Sequence, residues 1–462
     1  MSLERTLSAF ARACGGRLSG TDGPYTDVVS DSRTLRRGQL FVALRGPNFN
    51  GRDFLPAALT AGAAGALVDV QQPIALAQIL VNDTQAALTR AGSSWRAQFP
   101  GVLIGVAGSN GKTTAKEMTA SILSDAGATL ATRGNLNNHI GVPLTLLRLT
   151  HEHRFAVIEM GANHAGEVAA LIEVARPSIG LITNAGAEHL EGFGSLEGVA
   201  RAEGEMVAGL PATGTAVINA DDEFAPLWRG LTRARIVTFG VRAAADFRAS
   251  EVRTELEATG FRTRFRLDCP AGSSAIELSL GGAHNIANAL AAAAAAAAAG
   301  ATLSQITAGL AAMRAVPGRL QVKRALSGAW LIDDSYNANP SSMRAAIEVL
   351  GSLAGRRWLA LGDMGELGAF APDAHAEIGE FARAAGIERL YATGELMQRA
   401  VASFGAGAQW LPDAAALTQT LRRALETGGA QVRLLVKGSR FNRLERVVDA
   451  LTGGSGAAMG GH

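Results

Sequence analysis

The sequence predicts an α/β protein built from three domains. Short apolar runs typical of buried strands alternate with helical segments, and polar loops follow the strand ends. At 462 residues the chain is also longer than one typical hydrophobic core accommodates. We expect a small N-terminal α/β domain over 1–83, a central domain with a mostly parallel sheet and helices on both faces over 84–316, and a Rossmann-like α/β domain over 317–452. A glycine- and alanine-rich tail over 453–462 is expected to be disordered.

Composition argues against several classes of protein. The chain is 48% hydrophobic and 18% charged, which is typical of a globular protein. A net charge of +2 without a basic run interleaved with aromatic residues argues against nucleic-acid binding. The two cysteines, Cys14 and Cys269, are too few for a disulfide framework, and no signal-peptide pattern opens the sequence. The most apolar stretch, 289–299, is almost pure alanine and too weakly apolar to span a bilayer. We therefore expect a cytoplasmic, monomeric protein without membrane insertion.

The central domain is organised around residues 102–118. An apolar run over 102–107 is typical of a buried strand, and helical spacing begins at Ala115. The loop between them consists of Gly108, Ser109, Asn110, Gly111, Lys112, Thr113 and Thr114. Such a loop cradles phosphates, because glycines let backbone N–H groups close around the oxygens and the helix N-terminus is positive. Lys112 would neutralise the β- and γ-phosphates of ATP, and the Thr113 hydroxyl would bind Mg²⁺.

The loop matches the phosphate-binding P-loop pattern in part. Val106 stands where the full pattern has glycine. The alternative is an ordinary strand-to-helix turn, which gives no packing reason for Lys112 at its mouth. We therefore predict a P-loop-type central domain.

Polar residues follow two further strands predicted for the central sheet, 156–159 and 179–183. Glu159 ends the first strand, and His189 follows the second. Ligands bind at the carboxyl ends of parallel strands, so both residues are candidate divalent-metal ligands beside a triphosphate. For either residue alone, a structural hydrogen bond is the alternative.

The N-terminal domain is predicted to contain helices over 3–14 and 55–66 and strands over 40–44 and 66–70. The polar cluster at 30–34 either caps a helix or holds an anionic ligand through hydroxyls and a guanidinium. Taken alone, the cluster favours the cap.

Pro317 and Gly318 predict a hinge into the third domain. The strands predicted there cover 330–334, 358–361 and 433–436, and each leads into a polar loop. The C-terminal domain is therefore expected to repeat the architecture of the central one.

Alanine and lysine are distributed unusually. Nine consecutive alanines over 291–299 predict a buried helix, because alanine is the best helix former and lets a helix pack closely. Lysine is confined to Lys112, Lys116, Lys323 and Lys437, which makes each a candidate for a specific role. For Lys116 and Lys323 we favour the interpretation that the lysine was retained by chance and has no specific role.

The order of these motifs closely resembles that of the Mur ligases, ATP-dependent amide-forming enzymes of peptidoglycan precursor synthesis. The matching stretches run nearly from end to end of the chain: 31–46, 134–147, 159–167, 187–195, 284–290, 316–319, 333–340, 362–368 and 436–440. The resemblance implies one domain for a UDP-sugar, one for ATP and one for an incoming dipeptide. It also implies that ATP, with Mg²⁺, drives the joining of D-alanyl-D-alanine to UDP-N-acetylmuramoyl-tripeptide through an acyl phosphate.

The resemblance also assigns roles by motif position. The uridine nucleotide would lie at Ser32, Arg33 and Thr34. The ATP site would add to the phosphate loop the residues Asn285, Asn288, Arg319 and Asp334. Metal ligands would be Thr113, Glu159 and His189. The groups that take part in catalysis would be Lys112, Asn138, His189 and Arg319. The dipeptide side would include Asn337, Lys437, Ser439 and Arg440.

One position departs from the family. Mur ligases commonly carry a lysine, carbamylated by CO₂, that helps bind a second Mg²⁺, and the matching position here is Glu203. The sequence has no lysine between Lys116 and Lys323, so no local carbamate can form. Either the Glu203 carboxylate binds the second Mg²⁺ instead, or Glu203 is a surface residue without a metal role.

Two other kinds of function stay open. Within the class, the alternatives are the ligase that adds the third amino acid and a folylpolyglutamate synthetase. The stretches 362–368 and 436–440, and the lack of a D-N-P-R stretch, favour the dipeptide-adding reaction. Outside the class, the alternative is a P-loop NTPase that acts as a switch and needs no UDP-sugar peptide.

Overall fold

The computed structural model of the protein describes residues 4–257 and 259–453. Sheets of five, nine and six strands follow one another along this part of the chain. The central sheet has separate apolar clusters on its two faces, so the predicted α/β class is confirmed. The predicted disordered tail lies outside the described residues, apart from Gly453, whose left-handed backbone ends the last helix.

The N-terminal region forms the five-stranded sheet. Its elements are α1 (Leu7–Cys14), β1 (Arg17–Ser19), β2 (Val28–Val29), β3 (Leu40–Val42), β4 (Arg45–Gly46), β5 (Phe49–Asn50), α2 (Leu55–Thr60), β6 (Gly65–Val68) and β7 (Gln78–Leu80). The strand order is β1-β7-β6-β3-β2, and β4 and β5 pair separately as a ribbon. All pairings in the sheet are parallel except that of β1 with β7.

Three local predictions for this region were wrong. The first helix begins at Leu7, not at residue 3, because the Thr6 hydroxyl accepts the N–H of Ala9 as an N-cap. The helix predicted over 55–66 ends at Thr60, and Gly62 then takes a positive φ of 76° that turns the chain. The cluster at 30–34 caps no helix but forms a turn before β3.

The central region forms the nine-stranded sheet. Its elements are α3 (Thr84–Ala97), β8 (Val102–Ala107), α4 (Lys112–Ser124), β9 (Thr129–Ala131), α5 (Gly141–Leu146), β10 (Phe155–Glu159), α6 (Glu167–Ala175), β11 (Ile179–Ile182), α7 (Leu190–Phe193), α8 (Leu196–Ala208), β12 (Thr215–Asn219), α9 (Ala225–Leu231), β13 (Arg235–Gly240), β14 (Phe247–Glu257), β15 (Gly260–Cys269), β16 (Gly272–Leu278), α10 (Ala283–Ala298) and α11 (Leu303–Ala312). The strand order is β16-β15-β14-β13-β12-β11-β8-β10-β9. The run from β9 to β14 is parallel, and β15 and β16 extend it as an antiparallel edge.

The antiparallel edge was not predicted. Its strands carry charged side chains on the exposed face, such as Arg264, which lies 3.1 Å from Glu277 on the neighbouring strand. Their sequence therefore alternates between apolar and polar residues and lacks the continuous apolar run of the parallel strands. By contrast, the alanine-rich helix α10 is buried as predicted, with the alanines at 291–296 all 0% exposed.

The C-terminal region forms the six-stranded sheet. Its elements are β17 (Gln321–Arg324), β18 (Trp330–Asp334), α12 (Pro340–Gly351), β19 (Arg356–Leu361), α13 (Ala371–Ala384), β20 (Arg389–Thr393), α14 (Met397–Phe404), β21 (Ala408–Leu411), α15 (Ala414–Gly428), β22 (Val432–Lys437) and α16 (Glu445–Thr452). The strand order is β17-β18-β22-β19-β20-β21, parallel except for β17. Over 4–257 and 259–453, no helix has the combined length and apolarity needed to cross a membrane.

Candidate active site

The carboxyl edge of the central sheet positions the candidate site. Strand β8 lies between β10 and β11, so the connections on its two sides run in opposite directions across the sheet. Ligands of open α/β sheets bind at such a switch point. The phosphate loop leaves β8 there, Glu159 ends β10, and Asn184 follows β11. A cavity of about 340 Å³ opens at this edge and extends to the C-terminal region.

The cavity gathers many of the predicted site residues from two regions of the chain. Those that line it are Ser109, Asn110, Gly111, Lys112, Thr113, Asn138, Glu159, His189, Arg319, Asp334, Asn337 and Lys437. Those that do not line it are Ser32, Arg33, Thr34, Gly108, Thr114, Glu203, Asn285, Asn288, Ser439 and Arg440. The structure therefore brings most of the predicted ATP and metal residues together and leaves the predicted uridine residues elsewhere.

The two glycines of the phosphate loop allow close backbone packing. Gly108 has φ of +119°, and a Cβ added there would lie 2.1 Å from Thr183 Oγ1. Gly111 has φ of +83°, and its Cβ would lie 2.2 Å from Asn288 Oδ1. Any larger residue would clash at either position, so the loop keeps its shape only with glycine. Helix α4 then begins at Lys112, which places its positive end at the cavity.

Lys112 is held against its own loop. Its Nζ donates to the carbonyl oxygens of Gly108 and Ser109, the latter at 3.0 Å, and lies 3.1 Å from Glu188 Oε1. Burial lowers the pKa of Lys112, but the carboxylates of Glu188, Glu203 and Glu159 outweigh burial and hold it above its usual value. The ammonium therefore stays charged and suits a phosphate ligand.

Glu159 presents an unsatisfied oxygen. Its Oε1 accepts a hydrogen bond from Asn137 Nδ2 at 2.9 Å. Its Oε2 is buried and has no hydrogen-bond partner among the described residues. A buried charged oxygen without a partner is costly, and a divalent cation bound there would satisfy it. The donor chemistry at Glu159 therefore fits Mg²⁺.

The other predicted metal residues are engaged by the C-terminal region. The Thr113 hydroxyl accepts from Arg319 Nη2 at 3.0 Å, and His189 Nδ1 lies 2.7 Å from Glu366 Oε2. No cluster of three or more His, Cys, Asp or Glu side chains in the described ranges forms a complete metal site. Such a partial set is typical of Mg²⁺, which usually takes its remaining ligands from substrate phosphates and water.

Glu203 lies beneath the phosphate loop. Its side chain is 2% exposed, so the surface alternative is wrong. Its Oε2 accepts the N–H of Gly108 at 2.6 Å. Burial raises the pKa of Glu203 to about 7 although the ammonium of Lys112 lowers it. Glu203 and Lys112 thus bind the same residue of the loop, one at its N–H and one at its carbonyl.

Side-chain hydrogen bonds join the phosphate loop to the start of α12. Asn110 Oδ1 accepts from Asn339 Nδ2 at 2.9 Å, and Asn110 Nδ2 donates to Ser341 Oγ at 2.9 Å. Asn339 also donates to Glu188 Oε2 at 3.4 Å, so Glu188 contacts both Lys112 and the C-terminal region. The described conformation therefore brings the two regions together at the loop itself.

Asp334 and Lys437 form one buried ion pair of 2.6 Å at the ends of β18 and β22. The other oxygen of Asp334 accepts the N–H of Leu320 at 3.0 Å, and Lys437 also donates to the carbonyl of Asn337 at 2.8 Å. The resemblance assigned these two residues to different ligands, the nucleotide and the dipeptide. The structure shows them as direct neighbours at the cavity wall.

The remaining predicted residues have structural contacts. Asn285 and Asn288 are buried at the start of α10, where Asn288 lies against the phosphate loop. Ser439 is buried and accepts the N–H of Gly365 at 2.9 Å. Arg440 is paired with Glu445 at 3.6 Å outside the cavity.

The predicted uridine residues lie in the N-terminal turn before β3. Arg33 is exposed and forms an ion pair of 2.7 Å with Asp31. Ser32 and Thr34 belong to the same turn.

Sequence reasoning missed four residues with contacts at the site. They are Lys116, Asn137, Glu188 and Asn339. Glu188, Asn137 and Asn339 stand inside motifs that the sequence analysis singled out, within two positions of residues it chose. Lys116 was assigned to chance, but its side chain is 0% exposed. Lys323, also assigned to chance, pairs with Asp333 at 2.7 Å.

The fold and the cavity define a nucleotide-binding α/β protein with a phosphate loop between two regions. Two family models match it: the Mur ligase middle domain over 106–296, and the Mur ligase, glutamate ligase domain over 318–440. UDP-N-acetylmuramoyl-tripeptide–D-alanyl-D-alanine ligase of Escherichia coli (strain K12) is 45% identical over 96% of this chain and 98% of its own.

Solved structures of Mur ligases are also similar to this chain. The structure of MurF from Acinetobacter baumannii superposes with a TM-score of 0.90 at 33% identity, covering 98% of this chain and 99% of that one. The structure of MurF ligase from Thermotoga maritima in complex with ADP has a TM-score of 0.79 at 25% identity, covering 93% and 97%. The chain belongs to the Mur ligase family, and it is an ATP-dependent ligase.

Proposed function

We propose that the protein joins D-alanyl-D-alanine to UDP-N-acetylmuramoyl-tripeptide while ATP is converted to ADP and phosphate. The product is the UDP-linked pentapeptide precursor of peptidoglycan. The observation that carries the proposal is the convergence of Lys112, Glu159 and Arg319 on one cavity between two regions of a chain that matches a ligase of this name end to end. That match is to the dipeptide-adding ligase, not to an enzyme adding a third amino acid or to a switch.

The chemistry requires such a site. A carboxylate does not react with an amine at neutral pH, because oxide would have to leave. Transfer of the γ-phosphoryl group to the terminal carboxylate of the tripeptide gives an acyl phosphate; the amine of the dipeptide then attacks the carbonyl carbon, and phosphate leaves. Lys112 and Arg319 would offset the negative charge that collects in the first step. Bound Mg²⁺ supplies further charge neutralisation at the phosphates.

Contacts of the C-terminal region with the loop support the same chemistry. Asn339 and Ser341 contact Asn110, and Arg319 contacts Thr113. A C-terminal region held over the loop by these contacts would exclude water, which otherwise hydrolyses an acyl phosphate. The tripeptide carboxylate and the dipeptide amine would then meet beside Lys112.

We place the ligands by region. Residues 1–83 would bind the UDP-sugar through Ser32, Arg33 and Thr34, residues 84–316 would bind ATP, and residues 317–452 would bind the dipeptide. Adenine would contact Asn285 and Asn288, the ribose Asp334, and the γ-phosphate Asn138. The dipeptide would lie near Asn337, Lys437, Ser439 and Arg440. The proposed location is the cytoplasm, where ATP and UDP-linked precursors are available.

The metal ions would be held by Thr113, Glu159 and His189. Glu203 is the proposed further ligand, through the oxygen that Gly108 does not occupy. Glu203→Ala should then raise the Mg²⁺ concentration needed for half-maximal activity. Full activity at limiting Mg²⁺ would exclude this role.

The test of the function is phosphate release from ATP and Mg²⁺ with UDP-N-acetylmuramoyl-tripeptide, with and without D-alanyl-D-alanine. We expect release that needs both substrates, with the pentapeptide product identified by mass. Release without the dipeptide, or with a single amino acid on a shorter precursor, would contradict the proposal. Lys112→Met serves as the control for contaminating phosphatases.

A further inference from the structure

Lys116 is a buried lysine that the proposed reaction does not use. It lies in α4, four residues after Lys112, and its side chain is 0% exposed. Burying an ammonium is expensive unless hydrogen bonds and opposite charges compensate it. The groups that contact Lys116 therefore indicate which charges its ammonium compensates.

Lys116 has three oxygen neighbours. Its Nζ donates to the carbonyl of Thr132 at 2.6 Å and lies 2.8 Å from Glu117 Oε1. It lies 3.9 Å from Glu159 Oε2, the oxygen that has no hydrogen-bond partner in the described ranges. The ammonium thus lies close to this oxygen without forming a hydrogen bond to it.

Thr132 links the two charged residues. Its carbonyl accepts from Lys116, and its hydroxyl accepts the N–H of Glu159 at 3.0 Å. Asn137 holds the other carboxylate oxygen of Glu159. Hydrogen bonds therefore hold the backbone and one oxygen of Glu159, while the contact at Oε2 is the longer ion pair with Lys116.

We propose that Lys116 is a positioning residue that acts as a fixed counter-charge to Glu159. It compensates the carboxylate when no cation is bound, and it limits how tightly the carboxylate holds Mg²⁺. The second effect follows because the hydrogen bond of Lys116 to Thr132 and its ion pair with Glu117 keep its positive charge near Oε2 after a cation arrives. This inference rests on the proposed role of Glu159 as a Mg²⁺ ligand.

The first test is a double-mutant cycle on the free energy of unfolding without Mg²⁺, using Lys116→Met, Glu159→Gln and the double variant. In the described ranges no other cationic side chain forms an ion pair with Glu159, so Lys116→Met should destabilise the protein, and adding Glu159→Gln should recover part of the loss. Additive effects would overturn the proposal. Failure of both Lys116→Met and the double variant to fold would also count against it, since removing Glu159 would then bring no relief.

The second test measures the dissociation constant for Mg²⁺ by isothermal titration calorimetry, with Mg²⁺ titrated into the ADP-saturated protein. Lys116→Gln removes the charge but keeps a donor for the Thr132 carbonyl. We expect the dissociation constant for Mg²⁺ to fall by about threefold or more, because the repulsion is gone. An unchanged or larger dissociation constant would contradict the proposal.

The matched control is Lys323→Met. It breaks the ion pair with Asp333 outside the cavity lining and should leave the dissociation constant for Mg²⁺ unchanged. If Glu159→Gln also leaves that constant unchanged, Glu159 is not a ligand. In that case the proposed metal set fails, while the coupling measured in the metal-free protein still decides the role of Lys116.

Discussion

Glu159 and Asp334 each end a buried parallel strand beside a lysine at the same cavity, but their oxygens are satisfied differently. Asp334 has both oxygens occupied, one by Lys437 and one by the N–H of Leu320. Glu159 has one oxygen occupied by Asn137 and one without a hydrogen-bond partner among the described residues. The first carboxylate is an internal link between two strands. The second has Lys116 nearby but no hydrogen bond at Oε2, and we propose that it also binds Mg²⁺.

The largest effect on stability should come from the occupied carboxylate. Asp334→Asn would leave Lys437 buried without its charge partner, which should cost about 3–5 kcal/mol in the free energy of unfolding. Urea denaturation measures this loss. A change below about 1 kcal/mol would show that the ion pair of Asp334 with Lys437 is not a structural link.

Replacing Glu159 should affect activity strongly and stability little, which is the reverse of what we expect for Asp334. Glu159→Gln should lower the rate of phosphate release about a hundredfold, because bound metal contributes several kcal/mol of charge stabilisation. Its free energy of unfolding should change by less than about 1 kcal/mol, because Oε2 makes no hydrogen bond in the described ranges and Lys116 keeps its contacts with Thr132 and Glu117. If Glu159→Gln lost stability but kept its activity, Glu159 would be the structural residue and not a metal ligand.

Glu203, a third buried carboxylate, should make stability depend on pH. Its pKa is raised from 4.5 to about 7, so between these values the folded protein holds a proton that the unfolded chain has lost. The contribution of Glu203 to the free energy of unfolding should therefore fall as pH rises from about 5 to 7, by on the order of 2 kcal/mol, and then level off. Burial lowers the pKa of His284 to about 4, which opposes this change below pH 6.5, so the Glu203 contribution is measured as the difference from a variant without that carboxylate. Denaturation at several pH values measures the slope.

Glu203→Gln should remove the Glu203 contribution and leave that of the other groups, so its free energy of unfolding should rise relative to the unchanged protein as pH goes from about 5 to 7. The control is Glu205→Gln, on the same helix, where the carboxylate accepts the N–H of Gly166 at 2.7 Å. That variant should follow the pH dependence of the unchanged protein. A difference between Glu203→Gln and the unchanged protein that stays constant with pH would assign the proton to another group.

The smallest expected effect is that of CO₂. The resemblance implies that Glu203 stands at the position of the family's carbamylated lysine, so we expect that removing bicarbonate leaves the rate of phosphate release unchanged. Measurements in degassed and bicarbonate-supplemented buffer provide the test. Activity that recovers with bicarbonate would show that a carbamate forms elsewhere.

Much of the site could be predicted because its chemistry is local in sequence. The loop from Gly108 to Lys112 needs its glycines and its lysine whatever surrounds it, and Glu159 follows its own strand directly. Motifs of this kind also carry the resemblance to the family. Lys116 could not be assigned in this way, since its partners Thr132 and Glu159 are distant in sequence.

The sequence by itself determined the alternation of strands and helices, the phosphate loop and the acidic residues at the strand ends, because each depends on neighbours within a few positions. The tertiary structure alone decided which of those residues meet. It paired Asp334 with Lys437 and left Glu159 Oε2 without a hydrogen bond in the described ranges. It also placed the Glu203 carboxylate at the N–H of Gly108. The physical reason is that burial and charge compensation are properties of the packed surroundings, and strand order brings those surroundings together from distant parts of the chain.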